Sequence, residues 1–148
     1  MVPSTCEIID LEKFLDPDGF AKLIAHRLTK KISFDEKRLY RLLKKKSDAN
    51  VVLHPGIAIF SQEVQGRDVF EILAVRTKKG LLVSEDINPI HASFIVIASP
   101  DKRNFYMHSL MWIVQMADNC DFDTVWITAK DKDELRNILL HAWKKRKV

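Results

Sequence analysis

The sequence predicts a single layered α/β domain, built from short strands and four main helices. Three observations predict it. The order of apolar patterns runs helices, then strands, then helix–strand–helix, which is the order of a layered α/β chain. Phe94-Ile95-Val96-Ile97-Ala98 is an unbroken apolar run, and such a strand is buried on both faces, which requires helices on each side of its sheet. The chain has 148 residues, 47% apolar and 30% charged, which suits one domain with one sizeable core over residues 1–148.

Taken in order, the first fifty residues read as helical. Phe20, Leu23, Ile24 and Leu28 recur at three- and four-residue spacing and form one apolar stripe. Ser33-Phe34-Asp35-Glu36 reads as a capping box that opens a second helix, with Leu39, Leu42 and Leu43 on one face, ending near Lys46. The middle reads as β. Val51-Val52-Leu53 is a short apolar run, broken by His54-Pro55-Gly56, and Ile57 to Phe60 follows. Val69 to Val75 and Leu81 to Val83 flank Thr77-Lys78-Lys79-Gly80, a spacing that predicts a hairpin. After the central strand at 94–98, Ser99 and Pro100 suit the N-cap and first position of a helix running to about Asn119, with Met107, Leu110, Met111 and Val114 as its inward stripe. Thr124-Val125-Trp126-Ile127-Thr128 reads as a further strand. Asp131 to Glu134 opens a last helix with Leu135, Ile138, Leu139 and Ala142 inward.

Charge and composition exclude several function classes. The net charge of +4 sits mostly in Lys44-Lys45-Lys46 and Lys144-Lys145-Arg146-Lys147, which read as solvated helix ends. No aromatic residue interleaves with either run, so no nucleic-acid partner is expected. Cys6 and Cys120 are the two cysteines, far apart, with no metal-ligand spacing, so no metal site is expected. Gly19, Gly56, Gly66 and Gly80 form no phosphate loop or dinucleotide fingerprint, and no cofactor is expected. Met1 to Glu7 lacks the pattern of a signal peptide, and the apolar run Ala92 to Ser99 is far short of the ~20 residues that span a bilayer, so no direct membrane insertion is expected.

Four stretches, in order, carry a family resemblance over roughly residues 18–140. They are Phe20-Ala21-Lys22-Leu23-Ile24-Ala25 with the capped helix after it, Gly56-Ile57-Ala58-Ile59, Phe94 to Pro100, and His108-Ser109-Leu110-Met111-Trp112-Ile113-Val114. Together they resemble the IIA domain of the fructose–mannitol (and nitrogen-regulatory) class of the bacterial phosphotransferase system. The resemblance implies a three-layer α/β/α sandwich with a mixed five-stranded sheet and helices on both faces. It also implies a phosphorylation motif, Gly-Val-Ala-Ile-Pro-His, whose terminal His accepts a phosphoryl group from a small carrier protein and passes it on.

In this chain Phe60 takes the place of that Pro and Ser61 the place of the acceptor His. A phosphohistidine P–N bond is labile enough to pass its group in both directions. A serine ester is far more inert, and a Ser hydroxyl needs a partnered base to become nucleophilic. Ser61 is otherwise an ordinary strand-end hydroxyl. His108 matches the family's second His, which supports the phosphoryl group. His54, seven positions before Ser61, is the alternative acceptor. The family's Gly-Arg after the His is Gln62-Glu63 here, so a carboxylate replaces an anion-holding guanidinium unless Arg67 or Arg103 compensates.

The resemblance and its defects imply a regulatory or protein-interaction domain that does not carry phosphate and is not an enzyme. The expected partner is a protein, either a transporter domain or a phosphotransferase component. The chain is expected to act in the cytoplasm near the membrane, as the cytosolic domain or the partner of a membrane transporter. The alternative is an active sugar or nitrogen phosphocarrier that uses His54 or His108.

Overall fold

The computed structural model describes residues 5–13, 16–30, 35–41, 56–81, 89–119 and 121–146, together with the backbone of 52–54. The strands are β1 (Glu7–Leu11), β2 (Val52–His54), β3 (Ile57–Glu63), β4 (Phe70–Leu81) and β5 (Ile90–Ala98). The helices are α1 (Pro17–Thr29), α2 (Arg103–Ala117), α3 (Phe122–Thr128) and α4 (Lys132–Lys145), with a 3-10 turn at Pro100–Lys102 and a further helical stretch over 36–41. The protein is thus a mixed α/β domain. Its sheet runs in the order β1-β4-β5-β3-β2, parallel at β1–β4 and β3–β5, antiparallel at β4–β5 and β2–β3.

Strand alternation divides the interior in two. Ile57 and Ile59 of β3, Ile72 and Ala74 of β4, and Phe94 and Val96 of β5 pack with α2, α3 and α4. Ala58 and Phe60, Leu73 and Val75, and Ile95 and Ile97 point the other way, onto α1 and Leu39. The unbroken apolar run of β5 is therefore explained: both its faces are covered.

Local signals set most helix boundaries. Asp16 caps α1 by accepting from Gly19 N at 2.7 Å, with Pro17 at the first position. The stripe of α1 buries Phe20, Ile24 and Leu28 as expected, with Ala21 and Ala25 beside them. Asp131 caps α4 by accepting from Glu134 N, and Glu134 reaches back to Lys130 N. Of the expected capping box, Ser33 and Phe34 lie outside the described residues. Asp35 accepts from Lys37 N there, and Glu36 instead meets His26 of α1 at 3.1 Å.

Four expectations are corrected. The N-terminal fifty residues are not all helical, because Glu7–Leu11 is a strand lying parallel to β4. Its short Ile8-Ile9 pair buries one side chain on each face of the sheet, too brief a pattern to register as a period. The hairpin at 77–80 is absent. β4 runs through Lys78 and Lys79 to Leu81, and Gly80, at φ +85°, absorbs an irregularity in the pairing with β5. Leu82 and Val83 lie outside the described residues. Thr124–Thr128 is helical, within α3; its β-branched run is overridden by tertiary contacts that close on the helix end. Finally, α2 turns Ser109, Trp112, Ile113, Met116 and Ala117 inward, while Met107, Met111 and Val114 are exposed.

Candidate functional site

β3 and β5 are parallel and end together, with Ser61 opposite Val96 and Glu63 opposite Ala98. The chain leaves β5 through Ser99-Pro100 and enters α2. The carboxyl ends of neighbouring parallel strands are where α/β sheets bind ligands. A cleft of about 170 Å³ opens there, lined by Glu63, Ala98, Ser99, Arg103, Tyr106 and Met107. A larger groove of about 590 Å³ lies elsewhere, between α2, α3 and α4, floored by Met116, Phe122 and Ile138.

Alternation along β3 decides what each motif residue faces. Phe60 is buried with α1, its ring 6.1 Å from that of Phe20. Ser61 and Glu63 therefore face the α2 side. Ser61 is half-buried. Glu63 Oε1 lies 3.4 Å from Arg103 Nη2, both side chains more than half exposed. Of the two arginines that could offset Glu63, Arg103 does so, and Arg67 stands exposed on the turn after β3. The cleft thus holds one carboxylate and one guanidinium that already pair with each other.

The floor of the cleft is tied to the β3–β4 turn. Ser99 exchanges backbone contact with Val69, its N donating to Val69 O at 2.8 Å, and Val69 N donates to Ser99 Oγ. The Ser99 hydroxyl donates to Asp101 Oδ1 at 2.6 Å, and Asp68 N donates to Asp101 Oδ2 at 2.9 Å. The Ser99 hydroxyl and then the Asp68 amide hold the Asp101 carboxyl below the usual aspartate range. Ser99 is therefore spent on this bridge, and its hydroxyl does not cap the following turn. Sequence reading missed Tyr106 and the Ser99–Asp101 bridge. The only signal was the Arg103–Tyr106 spacing of three, which any helix surface offers.

His108 is exposed on α2 and does not line the cleft. One flank of α2 carries Arg103, Tyr106 and Met107 towards Glu63. The opposite flank carries Phe105, which packs on Phe70 of β4, and Trp112, which packs on Trp143 of α4. At about 100° per residue His108 falls on this second flank. His54 is placed through its backbone alone: it pairs with Ile57, four residues and about 13 Å along β3 from Ser61. The structure brings Ser61 onto one face with Glu63 and Arg103 and does not bring His108 into that group, while the side chain of His54 lies outside the described residues. Among the described residues no cluster of three or more His, Cys, Asp or Glu could hold a metal ion. Among them, too, no helix is long and apolar enough to cross a membrane.

The fold is thus a mixed α/β domain in which the carboxyl ends of two parallel strands meet the entry of a helix. The chain belongs to the family described as "Phosphoenolpyruvate-dependent sugar phosphotransferase system, EIIA 2", whose model matches residues 9–142. Its fold is similar to that of the nitrogen regulatory protein IIA-Ntr from Neisseria meningitidis, with a TM-score of 0.75 at 16% identity, covering 93% of this chain and 94% of that one. It is similar also to the mannitol-specific cryptic phosphotransferase enzyme IIA CmtB from Escherichia coli, with a TM-score of 0.65 at 15% identity, covering 94% and 93%. No curated protein matches the chain at a comparable level of significance.

Proposed function

We propose that this chain is a phosphotransferase IIA-type domain that no longer carries phosphate and acts as a regulatory or protein-interaction module. On this reading the three-layer sandwich and five-stranded mixed sheet of the family are kept as a scaffold. The observation that carries the reading is Ser61, a half-buried hydroxyl on β3, which on this reading takes the place of the family's acceptor imidazole. A hydroxyl without a base beside it neither attacks a phosphoryl group readily nor returns it. Two further observations support it. Glu63 places a carboxylate at the cleft and pairs with Arg103, so an incoming oxyanion meets a like charge and a guanidinium already in an ion pair. His108 lies on the flank of α2 that faces β4 and α4. The partner we infer is a transporter, with this chain as its cytosolic domain or its soluble partner, close to the membrane.

Incubation with labelled phosphoenolpyruvate, enzyme I and the carrier protein HPr tests the reading. The expected result is no acid-labile label on the chain. Label that disappears in a His54→Ala or a His108→Ala variant would overturn it and establish an active phosphocarrier.

A further inference from the structure

We propose that the solvent face of α2 is a self-association surface, on which a second copy of this chain docks its own α2 antiparallel about a two-fold axis. The helix carries two apolar faces. One is buried against the sheet through Trp112, Ile113 and Met116. The other is exposed: Met107 and Met111 at 48% and Val114 at 43%. Their spacing of four and three places them in a single row. The row continues by one helical step at each end, to Arg103 before Met107 and to Asp118 after Val114, both exposed.

That row is symmetric about the point between Leu110 and Met111. Met107 and Val114 lie equally far from it, as do Leu110 and Met111, and as do Arg103 and Asp118. A two-fold axis through this point sets Met107 on the second copy's Val114 and Leu110 on its Met111. It also sets Arg103 on the second copy's Asp118, at both ends at once. This is the self-complementarity an isologous dimer interface requires.

The end charges give a second reason. Arg103 is the first residue of α2 and Asp118 caps its end. A cation at the amino end and an anion at the carboxyl end both oppose the helix macrodipole. An antiparallel second α2 brings each charge beside its opposite and beside the favourable dipole end. Glu63 meets only one nitrogen of the Arg103 fork, at 3.4 Å, so further N–H donors remain for the second copy.

The row is short beside the ~800 Å² per partner of a standard interface, so the pair is weak, with a dissociation constant of about 10 μM to 1 mM. Arg103 and Met107 also wall the cleft at Glu63, so the dimer covers that cleft. None of this depends on whether the chain carries phosphate.

Sedimentation equilibrium of the full chain from about 10 μM to 1 mM tests the proposal. The expected result is a monomer–dimer equilibrium that Met111→Glu weakens at least about tenfold. Asp118→Arg alone and Arg103→Asp alone are each expected to be monomeric, because like charges then meet at both ends. An equimolar mixture of the two is expected to recover the dimer, since both contacts become opposite again. A wild-type chain that stays monomeric throughout, whatever other protein it binds, overturns the proposal. So does an Asp118→Arg dimer as tight as wild type, or a mixture that stays monomeric while both variants keep the wild-type circular dichroism spectrum.

Discussion

Arg76 of β4 and Asp10 of β1 form a two-pronged ion pair across the parallel strand edge, with Nε 2.8 Å from Oδ1 and Nη2 2.6 Å from Oδ2. The two residues are direct register partners, and Arg76 has no solvent exposure. Its remaining nitrogen, Nη1, turns to the end of α3 and donates to the carbonyls of Trp126 and Ala129. One guanidinium thus joins β1, β4 and the carboxyl end of α3, where helix carbonyls otherwise lack partners.

Removing either half of this pair leaves the other charge without its counter-ion, in a site closed around Arg76 and only slightly open at Asp10. Arg76→Ala or Asp10→Ala is expected to cost on the order of 3–5 kcal/mol. Arg76→Lys is expected to recover little, because an ammonium cannot span both carboxylate oxygens and the α3 carbonyls together. The double change Arg76→Met with Asp10→Leu is expected to cost less than either alanine variant. Urea unfolding monitored by tryptophan fluorescence measures all four; a loss below about 1 kcal/mol for Arg76→Ala would rule out the clamp.

Gly56, on the turn into β3, is fixed by both its backbone and its surroundings. Its φ is +90°, and a Cβ built there would lie 2.6 Å from both carboxylate oxygens of Asp123 on α3. Gly56→Ala is expected to destabilise by about 2–4 kcal/mol, combining left-handed strain with this overlap. Asp123→Ala removes the overlap and leaves the strain, so the double variant is expected to regain about half of the loss. Thermal melts of the three variants check this, and a fully additive double variant would show that Asp123 does not set the cost.

These two contacts also show what the sequence could and could not reveal. α1 was legible from its periodic apolar stripe, and α4 because Asp131 to Glu134 and its periodic apolar residues agree along one stretch. β5 was legible as a strand buried on both faces. β1 and α3 were not, since each is short and each is held by Arg76, a residue fifty or more positions from its partners. The inward face of α2 was misread because that helix is apolar on two sides, and spacing alone cannot tell the buried row from the exposed one. At the site, Ser61, Glu63 and Arg103 were named from the sequence. The flank on which His108 falls required Phe70 and Trp143 to be placed first.

The Ser99–Asp101 bridge predicts a pH dependence of defined sign. The folded-state pKa of Asp101 is lowered, so its contribution to stability is fully present above the unfolded aspartate value, about 3.9, and is lost as pH falls through the lower folded value. The stability difference between wild type and Asp101→Asn is therefore expected to hold from neutral pH to about 5 and to close below about 4. Carboxyl chemical shifts provide a direct check. Asp101 is expected to titrate below an unstructured aspartate, and Ser99→Ala to move its midpoint up by removing the hydroxyl donor. A midpoint unchanged by Ser99→Ala would exclude the hydroxyl as the leading cause.

On the proposed reading, phosphoryl chemistry is expected to be restorable in part, and Phe60 limits how. Phe60→Pro would complete the family motif, yet Phe60 is buried against Phe20, and emptying that space costs about 3–5 kcal/mol. Ser61→His with Glu63→Arg leaves this packing intact. The imidazole supplies a nucleophile, and the new guanidinium both releases Arg103 from its ion pair and adds a second cation facing the cleft. The double variant, incubated with phosphoenolpyruvate, enzyme I and HPr, is expected to take up acid-labile label that wild type does not. Ser61→His alone is expected to label about tenfold more slowly, because Glu63 still repels the incoming anion and holds Arg103. Equal rates for the single and double variants would show that Glu63 does not matter. No label on a folded double variant would show that the missing imidazole is not the only defect, and would point to His108, on the far flank of α2, as the group the reaction still lacks.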